Sequence, residues 1–218
     1  MRNHQNLTIN ILKRKIHFFI IIFINQLHTG GYLAWRLLPR YQVAIDGRNY
    51  YGVNAQLRYV DQVSEIQDGW RDQLDRWGVT LIATPGVRLG SGRLIPLVAE
   101  LEGDPRWQLV VVEPAGMLFV RSDVLPAGVS PLPKRLVWAQ VLEETRGLDA
   151  PRARFSRGVA LFKQHDFPGA AAELAAYRAS HPEDREAAEI ADLLQASVRG
   201  DGQATRALEA LYERGRSR

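Results

Sequence analysis

Trp107-Gln108-Leu109-Val110-Val111-Val112-Glu113-Pro114-Ala115-Gly116-Met117-Leu118-Phe119-Val120-Arg121 decides the reading of the chain. Two runs rich in valine and aromatic side chains, Trp107–Val112 and Met117–Arg121, are joined by a short link that turns at Ala115-Gly116. Runs of this kind favour the pleated, half-buried environment of a sheet, and the short link predicts a hairpin. Working outward, Val79–Ala83 reads as a further short strand, and Leu94–Leu101 as a helix between it and the hairpin. Tyr41–Ile45 alternates and ends at Asp46-Gly47-Arg48, a turn in which Asp bonds its own downstream backbone and Gly supplies a positive φ. Between these strands, apolar groups at Leu57, Tyr59, Val60, Val63, Ile66, Trp70, Leu74 and Trp77 follow helical spacing, with a break at Asp68-Gly69 and a stop at Gly78. The sum predicts an α/β domain over residues 29–123, a small sheet of about four strands with packed helices, followed by an α-helical tail.

The stretch from Asp123 to Pro133 is rich in Pro, Gly and Ser and reads as a linker, and Lys134–Arg146 as a helix, so residues 124–150 connect domain and tail. Residues 151–182 resemble one tetratricopeptide repeat. Gly158, Ala170 and Pro182 stand twelve residues apart in each step, as that family's small-residue and proline positions do, and small residues belong where two helices cross closely. Thirty-four residues on, Ala204 and Leu208 echo Ala170 and Leu174, although Asp192 stands where Gly158 predicts a small residue. The tail, residues 151–218, is therefore expected to form tetratricopeptide-like helical hairpins that contact a partner protein or a parent membrane region.

The formal charge of +4 does not describe the body of the chain. Residues 1–28 hold four basic side chains (Arg2, Lys13, Arg14, Lys15) and no acid, whereas residues 29–218 hold 24 basic and 24 acidic ones. The body thus lacks the sustained basic surface that phosphate backbones require, and no nucleic-acid partner is expected. With no cysteine, disulfides, thiolate metal sites and cysteine nucleophiles are excluded. In residues 1–28 a basic flank precedes the apolar run Ile16 to Ile24. Nine residues are too few for a bilayer core, which takes roughly 20, so the segment reads as an export leader or the stub of a membrane helix that would tether the chain. Its composition, rich in Asn, Ile, Phe and Lys, breaks abruptly with the Ala-, Arg- and Gly-rich remainder. The rival reading is a junction between unlike coding stretches.

The string from Gly30-Gly31-Tyr32-Leu33 through Trp35 and Pro39 to Asp46-Gly47-Arg48, followed in order by Trp107-Gln108-Leu109-Val110 and Leu118-Phe119-Val120-Arg121, resembles a pattern in bacterial polytopic membrane proteins of the glycosyltransferase-like class that use lipid-linked sugars. The resemblance covers roughly residues 29–123. It implies a soluble domain outside the cytoplasm, next to a membrane region that carries the catalytic residues. The many membrane helices that precede this domain in such proteins are absent here, so the resemblance implies no reaction for this chain alone.

Asp46 and Arg48 are the first candidate ligand-binding residues, because a turn at a strand end would present a carboxylate and a guanidinium together to a sugar hydroxyl or a phosphate. The plainer reading is turn chemistry alone. Gly86-Val87-Arg88-Leu89-Gly90-Ser91-Gly92-Arg93 lies between a strand and a helix and would cradle an anion with Arg88 and Arg93, though it lacks the ending of a P-loop; the plainer reading is a flexible surface loop. The histidines show no metal-ligand spacing, and neither metal nor cofactor is expected. The function expected is that of a non-catalytic extracytoplasmic accessory or interaction domain. The alternatives are an orphan α/β domain that binds a phosphorylated or sugar ligand, and a structural remnant of a truncated gene.

Overall fold

The computed structural model describes residues 20–24, 41–43 and 61–216. It is a mixed α/β protein in which helices predominate, and it divides into two compact units. The first comprises residues 1–85 and 104–134, the second residues 86–103 and 135–218.

The first unit is built on a sheet of strands β1 (Ile20–Ile24), β2 (Tyr41–Val43), β3 (Val79–Thr84), β4 (Trp107–Glu113) and β5 (Gly116–Arg121) in the order β2-β1-β3-β5-β4. Strands β3, β5 and β4 are antiparallel neighbours; β1 runs parallel to both β2 and β3. The expectation of about four strands is corrected here: three antiparallel strands carry the hairpin and its neighbour, and two short parallel strands extend them. The added strand lies in the apolar run expected to be a leader or a membrane-helix stub. Ile20–Ile24 is extended and pairs on both sides, which suits β-branched isoleucines better than a helix does. Among the described residues no helix is long and apolar enough to cross a membrane.

The hairpin β4–β5 closes at Glu113 opposite Gly116. Gly116 sits at φ 136, and a Cβ there would lie 2.9 Å from the carbonyl oxygen of Thr84, so β5 comes this close to β3 because the position is glycine. Leu81, Val110, Leu118 and Val120 form one buried cluster, covered by Val124, Leu125 and Val129. The stretch read as a linker thus lies along the sheet, where the Leu132 N–H donates to the Leu109 carbonyl at 2.7 Å. Helix α1 (Trp70–Arg76) follows the break expected at Asp68-Gly69, where Gly69 takes φ 76, and ends before Gly78 at φ 61.

The second unit holds α2 (Pro96–Gly103), α3 (Leu136–Glu144), α4 (Pro151–Lys163), α5 (Phe167–Ser180), α6 (Arg185–Val198) and α7 (Gly202–Arg216). From α3 to α7 each helix packs on the next, joined by connections short enough to turn the chain straight back. Pro151 opens α4, where its missing N–H costs nothing. The Asp166 and Asp184 side chains cap α5 and α6, accepting from the Gly169 and Ala187 N–H groups at 3.0 and 3.1 Å. Alanines 170, 171 and 191 with Leu174, Leu194 and Leu208 make the buried seam of the last three helices, and Phe155, Leu161 and Phe162 of α4 pack against it.

Candidate functional site

Residues 86–95 form a tight hairpin whose ends are tied to helices of the same unit. Val87 bridges Leu94, the Arg88 N–H donates to the Arg93 carbonyl at 2.8 Å and the Gly92 N–H to the Arg88 carbonyl at 2.9 Å. Gly90 and Gly92 turn it at φ 81 and 65. At its base, the Gly86 and Val87 N–H groups both donate to Glu144 Oε2, at 2.8 and 2.9 Å. The Gln140 amide donates to Glu144 Oε1 at 2.8 Å. On the other side the Leu94 N–H donates to Ser156 Oγ at 2.7 Å, and that hydroxyl lies 2.7 Å from the Gly92 carbonyl. The N–H pair that an anion cradle would offer therefore already holds a carboxylate of the protein. Burial pushes the Glu144 carboxyl above its ordinary range, and the three donors only partly offset it.

The hairpin brings Arg88 and Arg93 to either side of its tip, where Leu89 is 79% exposed. Asp46 and Arg48, with Gly30, Gly31 and Gly47, lie outside the described residues. Gly158 and Ala170 are both buried at the crossing of α4 and α5. A Cβ on Gly158 would meet Leu174 Cγ and Cδ2 at 2.7 Å. Pro182 is exposed just after α5, between its C-terminal His181 and the cap of α6. There Tyr177, 1% exposed, donates from its hydroxyl to Asp184 Oδ2 at 3.0 Å, accepts from Arg152 at 3.2 Å and stacks on His181 with ring centroids 4.5 Å apart. Burial and the bond to Asp184 raise the phenol, while the Ala187 N–H and this hydroxyl hold Asp184 below the ordinary carboxylate range.

Among the described residues, the helical unit and the sheet unit each carry a concave surface. Helices α6 and α7 flank a groove of about 630 Å³ lined by Arg185, Glu189, Asp192, Leu193, Asp201 and Gln203 among smaller residues. Asp192 is paired with Arg178 at 2.5 Å, and Asp201 caps α7 through the Gln203 N–H at 2.8 Å.

The second surface lies in the sheet unit, a cleft of about 300 Å³ lined by Leu74, Asp75, Arg106, Trp107, Arg121, Ser122 and Asp123. Arg106 forks onto Asp104 (Nη2 to Oδ2 2.8 Å, Nε to Oδ1 3.2 Å) and stands 3.9 Å from Asp75. Arg121 forks onto Asp123, with Nε and Nη2 each 2.7 Å from a carboxylate oxygen. The bonds from Arg121 hold Asp123 below the ordinary carboxylate range. Burial raises Asp104, but the bonds and charge of Arg106 outweigh it and leave that carboxyl lowered too. The sequence marks Leu74 as a helix position and Trp107 and Arg121 as motif positions, but none of these residues as a binding residue, although a signal exists. Asp104-Pro105-Arg106 and Arg121-Ser122-Asp123 mirror one another at the open end of the hairpin, where Trp107 pairs with Arg121.

Among the described residues no group of three His, Cys, Asp or Glu side chains is placed to hold a metal ion. No protein-family model, curated protein or solved structure matches the chain.

Proposed function

We propose that the chain is a non-catalytic accessory domain of a membrane-associated, glycosyltransferase-like assembly, held outside the cytoplasm, whose helical tail binds a protein partner or the assembly's membrane region. The observation that carries the reading is the stack of α4 to α7. Paired helices with a small residue at the crossing, one fully buried alanine at the next twelve-residue step and a proline at the turn after it are what tetratricopeptide-like hairpins need. Such stacks present grooves to extended or helical protein segments, and the concave surface between α6 and α7 supports the reading. The motifs from Gly30 to Arg121 that resemble the glycosyltransferase-like class support the choice of assembly.

The test is recruitment to membranes of the source cells. The full chain is expected to sediment with them, and protease treatment of the membranes is expected to abolish this. Glu189→Arg with Gln203→Arg, both exposed in the groove, is expected to lower recruitment about tenfold, the equivalent of roughly 1.4 kcal/mol. Equal recruitment of this variant, or turnover of a lipid-linked sugar donor by the purified chain alone, would count against the proposal.

A further inference from the structure

Among the described residues the exposed large apolar side chains are Ile66, Val198 and Leu89, and Leu89 reaches furthest into water at 79%. An exposed leucine on a loose loop would be ordinary. This one stands at the tip of the 86–95 hairpin, which is tied down on two sides. Glu144 of α3 holds the Gly86 and Val87 N–H groups, and Ser156 of α4 holds the Leu94 N–H and the Gly92 carbonyl. A Cβ on Gly92 would lie 2.5 Å from that of Ala153, so this part of the hairpin packs hard on α4, whereas a Cβ on Gly90 would meet nothing within 4 Å. The hairpin is fixed at its base and open at its tip. We propose that the tip is a contact for an anionic lipid surface, with Leu89 entering the headgroup layer between Arg88 and Arg93.

The charge of the helical unit is divided in the same sense. Residues 86–103 and 135–163, the hairpin with α2 to α4, hold eight basic side chains and five acidic ones, whereas residues 164–218, with α5 to α7, hold seven and ten. The elements that carry the hairpin are thus basic and the rest of the unit is acidic. Their five acids are Glu100, Glu102, Glu143, Glu144 and Asp149. Glu143 pairs with Arg146 and Asp149 with Arg154, Glu102 stands 3.9 Å from Lys163, and Glu144 lies under the hairpin. Even with Arg157 assigned to Glu173 of α5, two basic charges stay in excess, and an anionic surface is attracted to this side of the unit. Shape selects a bilayer over a protein. A tip of Leu89, Gly90 and Ser91 is small beside the roughly 800 Å² that a stable interface takes from each partner, and the Ser91 hydroxyl is turned inward, accepting from the Arg93 N–H at 3.3 Å. A headgroup layer needs no complementary surface. It admits one apolar side chain, and arginine stems lie along the apolar boundary while their guanidinium groups meet phosphates. One leucine with two arginines makes a reversible contact, since even a single acyl chain anchors only marginally. It turns the chain toward a membrane without holding it there alone, and it is separate from the α6–α7 groove, so either reading can fail without the other.

The chain has no cysteine, so Ser91→Cys at the tip and Gln203→Cys as a control, both at exposed positions, each carry a single polarity-sensitive dye on the full chain. The probe is a titration with vesicles of equal parts phosphatidylglycerol and phosphatidylcholine. The dye at position 91 is expected to shift saturably to the blue and the dye at 203 to stay unchanged, with an affinity that falls in raised salt and in vesicles of phosphatidylcholine alone. In the Ser91→Cys chain, Leu89→Ser is expected to weaken binding about tenfold with an unchanged urea midpoint, and Arg93→Gln about fivefold. No shift at position 91, an equal shift at 203, or binding unaltered by Leu89→Ser would overturn the proposal. So would a shift at 91 produced by detergent-extracted membrane proteins and never by vesicles, which would assign the tip to a protein.

Discussion

Glu144 shows how one buried carboxylate settles a local structure that looked open. Its two oxygens take three donors, yet burial still dominates its titration. The folded chain therefore binds this proton more tightly than the unfolded chain does. Stability contributed by this group is fully present below the ordinary glutamate range and is lost as pH rises through the raised folded-state value. Acid accordingly adds stability through this group by relieving the burial of its charge, although the bonds from Gly86 and Val87 themselves favour the ionised carboxylate. In urea titrations across the acid range, the parent should lose stability relative to Glu144→Gln as pH rises through that window. A difference that stays flat with pH would contradict the assignment. Gly158 makes a steric argument at the same scale. Leu174 occupies the space of its missing Cβ and is itself 2% exposed. Gly158→Val should cost about 1–3 kcal/mol by overpacking, despite removing a glycine from a helix, and thermal unfolding would show it.

At the scale of elements, Arg157 joins three pieces of the helical unit. From α4 it pairs with Glu173 of α5 at 2.8 Å and donates to the Thr145 and Leu148 carbonyls at 2.9 Å, just past α3. Its side chain is 16% exposed and that of Glu173 23%, so removing the guanidinium leaves a half-buried carboxylate with the longer 3.8 Å pairing to Arg154. Arg157→Met should destabilise the chain by about 2–4 kcal/mol, measurable by denaturant unfolding. Arg157→Met with Glu173→Met should recover part of the loss, since the under-paired carboxylate is gone. The elements themselves were largely legible in the sequence. Val79–Thr84, Trp107–Glu113 and Gly116–Arg121 are β-branched runs bounded by turn residues, and α4 to α7 follow caps and small-residue spacing that act locally. The pairing of Glu144 with Gly86, 58 residues away, was not legible, because nothing local encodes it. The Arg–Asp cleft became visible only once the hairpin register set Asp104-Pro105-Arg106 beside Arg121-Ser122-Asp123. Ile20–Ile24 forms a strand that the sequence does not distinguish, because an isoleucine-rich run behind three basic residues carries the same pattern whether it is a leader or a strand. The first candidates, Asp46 and Arg48, lie outside the described residues, whereas Arg88 and Arg93 do flank one hairpin tip.

For the whole molecule, the division into units does not follow the chain. Residues 86–103 leave the sheet unit and belong with α3 to α7, bringing the hairpin bonds to Glu144 and Ser156 and the buried residues Leu97, Val98 and Leu101. A fragment of residues 135–218 therefore lacks part of its own unit. It should unfold at lower urea than the same helices do in the full chain, and a peptide of residues 86–103 should raise that midpoint, because a ligand of the folded state alone stabilises it. A fragment equally stable with and without the peptide would show the helices to be self-sufficient. The functional reading rests on the surface these helices present. The measurement that tests it most directly is site-specific photo-crosslinking in intact source cells. One photoreactive residue stands at Gln203, in the α6–α7 groove, and a control at Arg146, which is exposed and outside it. The account predicts one discrete adduct to a membrane-embedded protein from position 203 and none from position 146. No adduct from position 203, or the same adducts from both positions, would contradict it.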